Sequence, residues 1–296
     1  MNDILYVSLV EFYSHGKYKS LVQAKEIGEV PDTVKETVKI GGYNVPIKWG
    51  TGFKVWITFW KNKNFGFKIV MDHVLFLFKK DIDYLLLHKK SFWIIDYINN
   101  RQQSLSNVYF RGHGLNYSDY SRILNWDMDH LRMEVAYSRP SFEYKGLFGA
   151  RLTIWLKNAA WINVNNLLAM EQTEIFLEGT KFKNSDINKF LKIWMKGGND
   201  RLRFLHCTLR GRLELSEICS GIAEEESLDG ETCEYKSIRG TKTDEYPTGS
   251  KYKFASKTIL RRSDGATAFF QHEGKRLIVV FRPYSNLSLP NSVDIR

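Results

Sequence analysis

The sequence predicts an α+β fold of mixed strand–helix layers, with no closed parallel sheet and a C-terminal β-hairpin region. Three observations predict it. Apolar and polar residues alternate with a period of two near the start. A strand–turn–helix–strand pattern occurs twice in the middle. An Asp-Gly turn separates two apolar runs near the end. With 296 residues, 43% of them hydrophobic, 14% aromatic and only six prolines, the chain can fill a large core and is not a disordered linker.

Residues 1–25 read as a broken, partly helical opening. Strands are expected through residues 36–70, where Val38 and Ile40, Val45 and Ile47, Val55, Ile57 and Phe59, and then Phe65, Phe67 and Ile69 alternate with other positions. Gly41-Gly42 and Gly50-Thr51-Gly52 punctuate them as turns. A short helix is expected from Asp72 to Lys80, then a strand at Tyr84–Leu87. A second helix is expected from Phe92 to Gln102, with Ile94, Ile95 and Ile98 on one face.

The repeat pairs Val108-Tyr109-Phe110-Arg111-Gly112 with Ile175-Phe176-Leu177-Glu178-Gly179, an offset of 67 (175 − 108). At that offset Ser118-Asp119 matches Ser185-Asp186, and Ile123-Leu124 matches Phe190-Leu191. The units span 104–137 and 171–207, with helices at 118–127 and 185–196. The second is lengthened at Lys196-Gly197-Gly198-Asn199, where glycine suits a helix C-terminus. Ser118 and Ser185 are expected N-caps. Asp119 and Asp186 then lie in first turns, where negative charge suits the helix dipole. Ile187, Phe190, Leu191 and Trp194 follow i, i+3, i+4, i+7 spacing, one apolar helix face. Repeated strand–helix pairs of this kind are leucine-rich-repeat-like units, which bury their faces on one another.

Past the repeat, the stretch 216–247 is acidic and reads as a surface excursion. From Ser216 to Glu234 it holds seven acidic and no basic residues, so of the net +10 the remainder carries +17. Such a body can attract acidic partners or nucleic acid. Strands then return at Thr258–Arg261, Ala266–Phe270 and Leu277–Phe281, the first two flanking Arg262-Ser263-Asp264-Gly265.

Catalytic, cofactor and metal chemistry is not predicted. His206 and Cys207 are neighbours in a strand and point to opposite faces, which suits a buried structural thiol better than a dyad. Cys207, Cys219 and Cys233 contain no Cys-x-x-Cys pair for zinc. This sparse, odd set fits a reducing, intracellular compartment, cytoplasmic or nuclear. Asp127, Asp129 and His130 read as a solvated loop, not a metal site. Gly112-His113-Gly114 lacks the third glycine of a dinucleotide loop. Trp155, Trp161 and Trp194 read as core aromatics. Asn188 reads as structural, capping its helix or bridging it to a neighbouring turn. No apolar run is long enough to span a membrane, and no secretory signal is read at the N-terminus.

Residues 174–205, and above all Asp186-Ile187-Asn188-Lys189-Phe190-Leu191 with Trp194, resemble the type 2 F-box-associated domain of nematode F-box proteins. Arg261-Arg262-Ser263-Asp264-Gly265-Ala266-Thr267-Ala268 is similar to that family's C-terminal strand pair. Asp186, Asn188, Phe190, Leu191, Trp194, Arg262, Asp264 and Gly265 are the motif positions, expected to be structural; the residues that bind a partner are not assigned. The resemblance implies a substrate-recognition domain over 26–296, working as the receptor of a cullin–RING (SCF-type) ubiquitin ligase in ubiquitin-dependent degradation. Its implied partners are an unidentified target protein and a Skp-type adaptor. Ser14–Val22 resembles only the tail of an F-box, so residues 1–25 are read as an F-box remnant and adaptor binding is expected to be weak or absent. The second reading, from charge alone, is a nucleic-acid-binding module using Lys61, Lys63, Lys79, Lys80, Lys89 and Lys90.

Overall fold

The computed structural model describes residues 5–9, 19–26, 33–51, 55–135, 142–222, 224–226, 232–238, 251–255 and 258–283. The chain divides into two units, Met1–Ile82 and Asp83–Arg296. The division falls inside the span 26–296 that the sequence presents as one domain.

The first unit runs β1 (Leu5–Leu9), β2 (Lys19–Glu26), β3 (Glu36–Ile40), β4 (Tyr43–Gly50), β5 (Val55–Trp60) and α1 (Lys63–Phe78). Its sheet has the order β1-β2-β5-β4-β3, with β2 and β5 parallel and the other pairs antiparallel. The expected Gly41-Gly42 turn joins β3 to β4, both glycines with positive φ (56° and 88°), the conformation a tight hairpin needs. Two expectations fail here. The described parts of residues 1–25 are strands, not helix; residues 10–18, which hold part of the F-box-like stretch, lie outside the described residues. Phe65, Phe67 and Ile69 belong to α1 instead of a strand, and the helix expected from Asp72 starts at Lys63. The Asn62 side chain caps it by accepting from the Phe65 N–H at 3.0 Å. Phe67, Val70, Met71 and Val74 are its buried apolar side chains, at i, i+3, i+4, i+7 spacing. Gly66 lies so close to Trp60 that a Cβ there would fall 2.1 Å from the indole.

The second unit begins with β6 (Tyr84–Leu87), α2 (Trp93–Asn99), β7 (Asn107–Gly112), α3 (Tyr117–Leu124), β8 (His130–Val135) and β9 (Thr153–Lys157). It continues with α4 (Val164–Leu168), β10 (Glu174–Leu177), α5 (Asn184–Met195), β11 (Phe204–Thr208) and α6 (Leu215–Ile218). Last come β12 (Glu224–Glu226), β13 (Thr232–Lys236), β14 (Lys251–Ala255), β15 (Thr258–Arg261), β16 (Thr267–Glu273) and β17 (Arg276–Arg282). Strands β6 to β11 lie side by side in chain order and all parallel. On the far side of β11 the sheet continues antiparallel through β17, β16, β15 and β12. The α+β class holds, and the sheet is open and mixed.

The register shows a shorter period than the one read from sequence. Tyr84, Asn107, His130 and Thr153 are partners in successive strands, each 23 residues from the last (107 − 84, 130 − 107, 153 − 130). Glu174 follows after 21 and Phe204 after 30. The 67-residue offset from Asn107 to Glu174 is therefore three strand steps, not one. The copies at 104–137 and 171–207 are both strand–helix–strand, but a further strand, β9, lies in the interval between them. Burial follows the pleat. Leu85, Val108, Leu131, Ile154, Ile175 and Leu205 form one buried row, and Leu87, Phe110, Met133, Leu156, Leu177 and Cys207 another.

Helix starts also differ from expectation. Ser118 and Ser185 are second residues of their helices, not N-caps. Asn116 caps α3 through a reciprocal pair with Asp119, the Asp119 N–H donating to Asn116 at 2.9 Å and the Asn116 N–H to Asp119 at 3.0 Å. In α5, Asp186 accepts from the Lys183 N–H at 2.8 Å, and the N-cap Lys183 offers no side-chain acceptor of its own. The acidic stretch 216–247 is not merely a surface excursion. Its described residues include α6, β12 and β13, and Tyr235 and Ser237 are buried.

Candidate functional site

The motif positions read from sequence all serve the frame around α5. Ile187, Phe190, Leu191 and Trp194 are its buried face. Phe281 of β17 meets Trp194 at 5.0 Å and Phe190 at 6.4 Å between ring centroids. Asn188 donates to the carbonyls of Ile218 (2.8 Å) and Ser220 (2.9 Å), bridging α5 to the end of α6. The guanidinium of Arg262 sits 5.2 Å from the Trp194 ring centroid, donates to Asp200 at 2.7 Å and pairs with Asp264. Asp264 accepts from the Ala266 N–H at 3.0 Å, and Gly265 takes the positive φ (83°) of the turn. These contacts fix the strand–turn–strand to the helix. Beside Asn188 a shallow open pocket is lined by Ser185, Ser216, Glu217 and Ser220.

The candidate site lies on the face of the second sheet turned away from the two buried rows. In register across it run Leu86, Tyr109, Arg132, Trp155, Phe176, His206 and Ile278. Along the β10–β11 half, this face is covered by β13, which pairs with β14. Tyr235 stacks on Phe204 at 5.1 Å and joins Trp155, Phe176, Ile259, Phe269 and Val280 in one buried cluster. Glu174, fully buried, accepts from the Tyr235 hydroxyl (2.7 Å), the Ser237 hydroxyl (3.1 Å), the Ile238 N–H (2.8 Å) and the Thr153 hydroxyl (3.2 Å). Burial pushes its carboxyl above the ordinary range although these four donors pull the other way.

Along the β6–β9 half the face is more open and carries charge and aromatic rings together. Leu86 is 49% exposed and Arg111 is exposed. The Arg132 guanidinium lies between two rings, 4.0 Å from the Trp155 centroid and 4.8 Å from that of Tyr109. Lys157 stands 5.2 Å from the same Trp155 ring. The Tyr109 hydroxyl donates to Glu134 at 2.6 Å, and the indole N–H of Trp155 donates to Glu178 at 2.7 Å. That hydrogen bond from Tyr109, with Lys157, Arg111 and Arg132 nearby, holds the Glu134 carboxyl below its usual range, so it is ionised at neutral pH. The Tyr109 hydroxyl is raised, first by burial and then by Glu134. Trp155 is buried, so the reachable groups are the half-buried Tyr109 and Arg132, and Arg and Tyr are types that anchor protein interfaces.

Other sequence candidates are placed elsewhere. Lys61, Lys63, Lys79 and Lys80 belong to the first unit and Lys89 and Lys90 to the second, with Lys89 held by Asp119 (3.2 Å) and the Gly114 carbonyl (2.6 Å). Among the described residues, no three His, Cys, Asp or Glu side chains are grouped to hold a metal ion, and no helix is long and apolar enough to cross a membrane. Trp161 meets Tyr120 at 4.8 Å and is buried with it. Cys207 is fully buried, and burial pushes its thiol up to about 12. It is expected to resist iodoacetamide in the native protein and to react once unfolded, since the thiolate is the nucleophile. Mass spectrometry of a labelling time course checks this, and prompt native labelling at Cys207 would contradict its burial.

An F-box associated family model matches residues 148–207, a span that contains β9, β10 and β11 and supplies Lys157 and Glu178 to the open face, with Trp155 buried beneath the Arg132 guanidinium. No curated protein and no solved structure matches the chain. The sequence reading placed Trp155 in the core, where it is buried, and missed Leu86, Tyr109 and Arg132 as a set. The signal was there as a 23-residue interval, since 86, 109, 132 and 155 are evenly spaced.

Proposed function

We propose that this chain is a non-catalytic protein-recognition module whose open sheet face in the second unit receives the partner. The observation that carries the reading is the Arg132 stack between Tyr109 and Trp155 on a face built partly from the F-box associated segment. We read the parallel strand–helix steps as leucine-rich-repeat-like, since a 23-residue step falls within the roughly 20–29 residues of such units. In the manner of other F-box-associated domains, the bound protein would be a substrate for an SCF-type ubiquitin ligase. For the adaptor, the reading is weak or absent contact by this chain. The described parts of its opening, β1 and β2, are strands, whereas an F-box docks through helices.

The test is affinity purification from native cells with mass spectrometry, comparing the chain with its Tyr109→Ala/Arg132→Ala variant. Partner proteins are expected with the first and at least about tenfold depleted with the second, as for loss of two interface anchors. Equal capture by both removes the face from the reading. Capture abolished by nuclease would replace protein recognition with nucleic-acid binding.

A further inference from the structure

The covered and open halves of this sheet face are continuous, and the covered half shows what the face accepts. There an extended strand of the chain itself, β13, lies on the sheet. It is anchored by one aromatic stack, Tyr235 on Phe204, and by polar bonds to one strand residue, Glu174. The open half repeats the first of these features in the neighbouring strands. It offers ring surface at Tyr109 and apolar surface at Leu86, while in the row of Glu174 Thr153 and Asn107 are buried and His130 is half-buried. Its charge differs. Arg111, Arg132 and Lys157 surround a single carboxylate on β7 to β9, Glu134, so this patch is net positive by two.

We propose that the open half binds an extended, acidic segment of a partner protein, laid beside the position of β13. An aromatic or large aliphatic anchor residue packs on Leu86 and Tyr109, and flanking carboxylates face Arg111 and Lys157. This rests on the protein-recognition reading and gives it a partner chemistry. Continuity with the seat of β13 argues for an extended chain, and the net charge argues for acidic side chains. A nucleic-acid backbone fits less well. Its uniform negative charge would pass Glu134, which lies in register between Arg111 and Lys157, and then Glu178. An acidic peptide can place its carboxylates and leave those positions neutral.

The experiment pans the full chain against a phage-displayed library of random linear peptides, then measures a synthetic selected peptide by fluorescence anisotropy. The enriched peptides are expected to combine Asp or Glu with an aromatic or large aliphatic residue. Their affinity should fall with rising salt. Arg111→Glu and Leu86→Asp should each weaken binding by about tenfold or more. Both positions are exposed, so thermal melting of the two variants should match the parent and separate lost binding from lost folding. Peptides without acidic residues, bound equally by Arg111→Glu, overturn the partner chemistry and leave protein recognition standing. Failure to enrich any peptide, with tight binding of a single-stranded RNA oligonucleotide, overturns both. Self-association of the chain that Arg111→Glu abolishes, with no peptide enriched, would make the occupant a second copy and overturn the acidic-segment proposal.

Discussion

Trp194→Ala is expected to lower stability by about 3–5 kcal/mol, the range for truncating a fully packed large aromatic. Trp194 is 2% exposed and ends the apolar face of α5. Its ring meets Phe281 at 5.0 Å, and Arg262 stacks on it at 5.2 Å. The truncation therefore leaves a cavity and also removes the surface that holds a buried guanidinium beside Asp200 and Asp264. A loss of that size is a large part of the roughly 5–15 kcal/mol that stabilises a typical domain. Urea denaturation followed by tryptophan fluorescence and circular dichroism checks it. The midpoint should fall sharply with little change in slope, and an unchanged midpoint would mean that the helix face is not packed as described. Trp194→Phe should recover part of the loss by refilling part of the cavity.

The pieces legible in the sequence are those whose signals are local. The face Ile187–Phe190–Leu191–Trp194, the Gly41-Gly42 turn and the strands near the C-terminus all sit within a few residues of the pattern that predicts them. A structural role for Asn188, as cap or bridge, was legible too, because a short amide side chain bonds readily to nearby backbone, and here it bridges to Ile218 and Ser220. Cap positions were less so. Asn116 and Lys183 precede the expected serines by two residues, and Asp119 and Asp186 complete the turn by reaching back to the backbone N–H groups. Around Phe65 the residues fit both a period of two and a period of 3.6. The Asn62 cap and the close packing of Gly66 on Trp60 favour the helix.

The longer errors share one cause. Strand–helix repeats vary most on their helix side, and the helices here differ in length from five residues in α4 to twelve in α5. The Ser-Asp pair that opens both α3 and α5 matched β7–α3 with β10–α5 and passed over the intermediate strands β8 and β9. The regular feature is on the strand side, where every 23 residues a side chain falls on the same row of the face. At that interval Tyr109, Arg132 and Trp155 stand out in the amino-acid sequence by spacing alone. The cover over β10 and β11 had no such signal. Tyr235 and Ser237 lie 61 and 63 residues from Glu174 along the chain, and an acidic stretch gives no hint that two of its neighbours are buried.

That cover is expected to depend on Glu174. Glu174→Ala removes the acceptor shared by Tyr235, Ser237, Ile238 and Thr153. A buried donor left without a partner costs about 1–3 kcal/mol. The three hydroxyls can turn toward other acceptors, whereas the Ile238 N–H is fixed by the backbone. A loss of at least about 3 kcal/mol is expected from the network as a whole. Hydrogen exchange should show Tyr235–Ile238 losing protection first, because the hydrogen bonds to Glu174 tether that segment. The pH dependence is a separate check. The folded carboxyl lies above its ordinary value because burial outweighs the four hydrogen bonds, so the native state holds the proton more firmly than the unfolded chain. Its contribution is then fully present below the ordinary carboxyl range and is lost as pH rises through the raised folded value. The stability of the parent minus that of Glu174→Gln, which does not titrate, should fall across that window and level off above it. Urea melts of both proteins at a series of pH values measure the difference. A difference that instead grows with pH would mean that the four donors outweigh burial and that the cover is held by an ionised carboxylate.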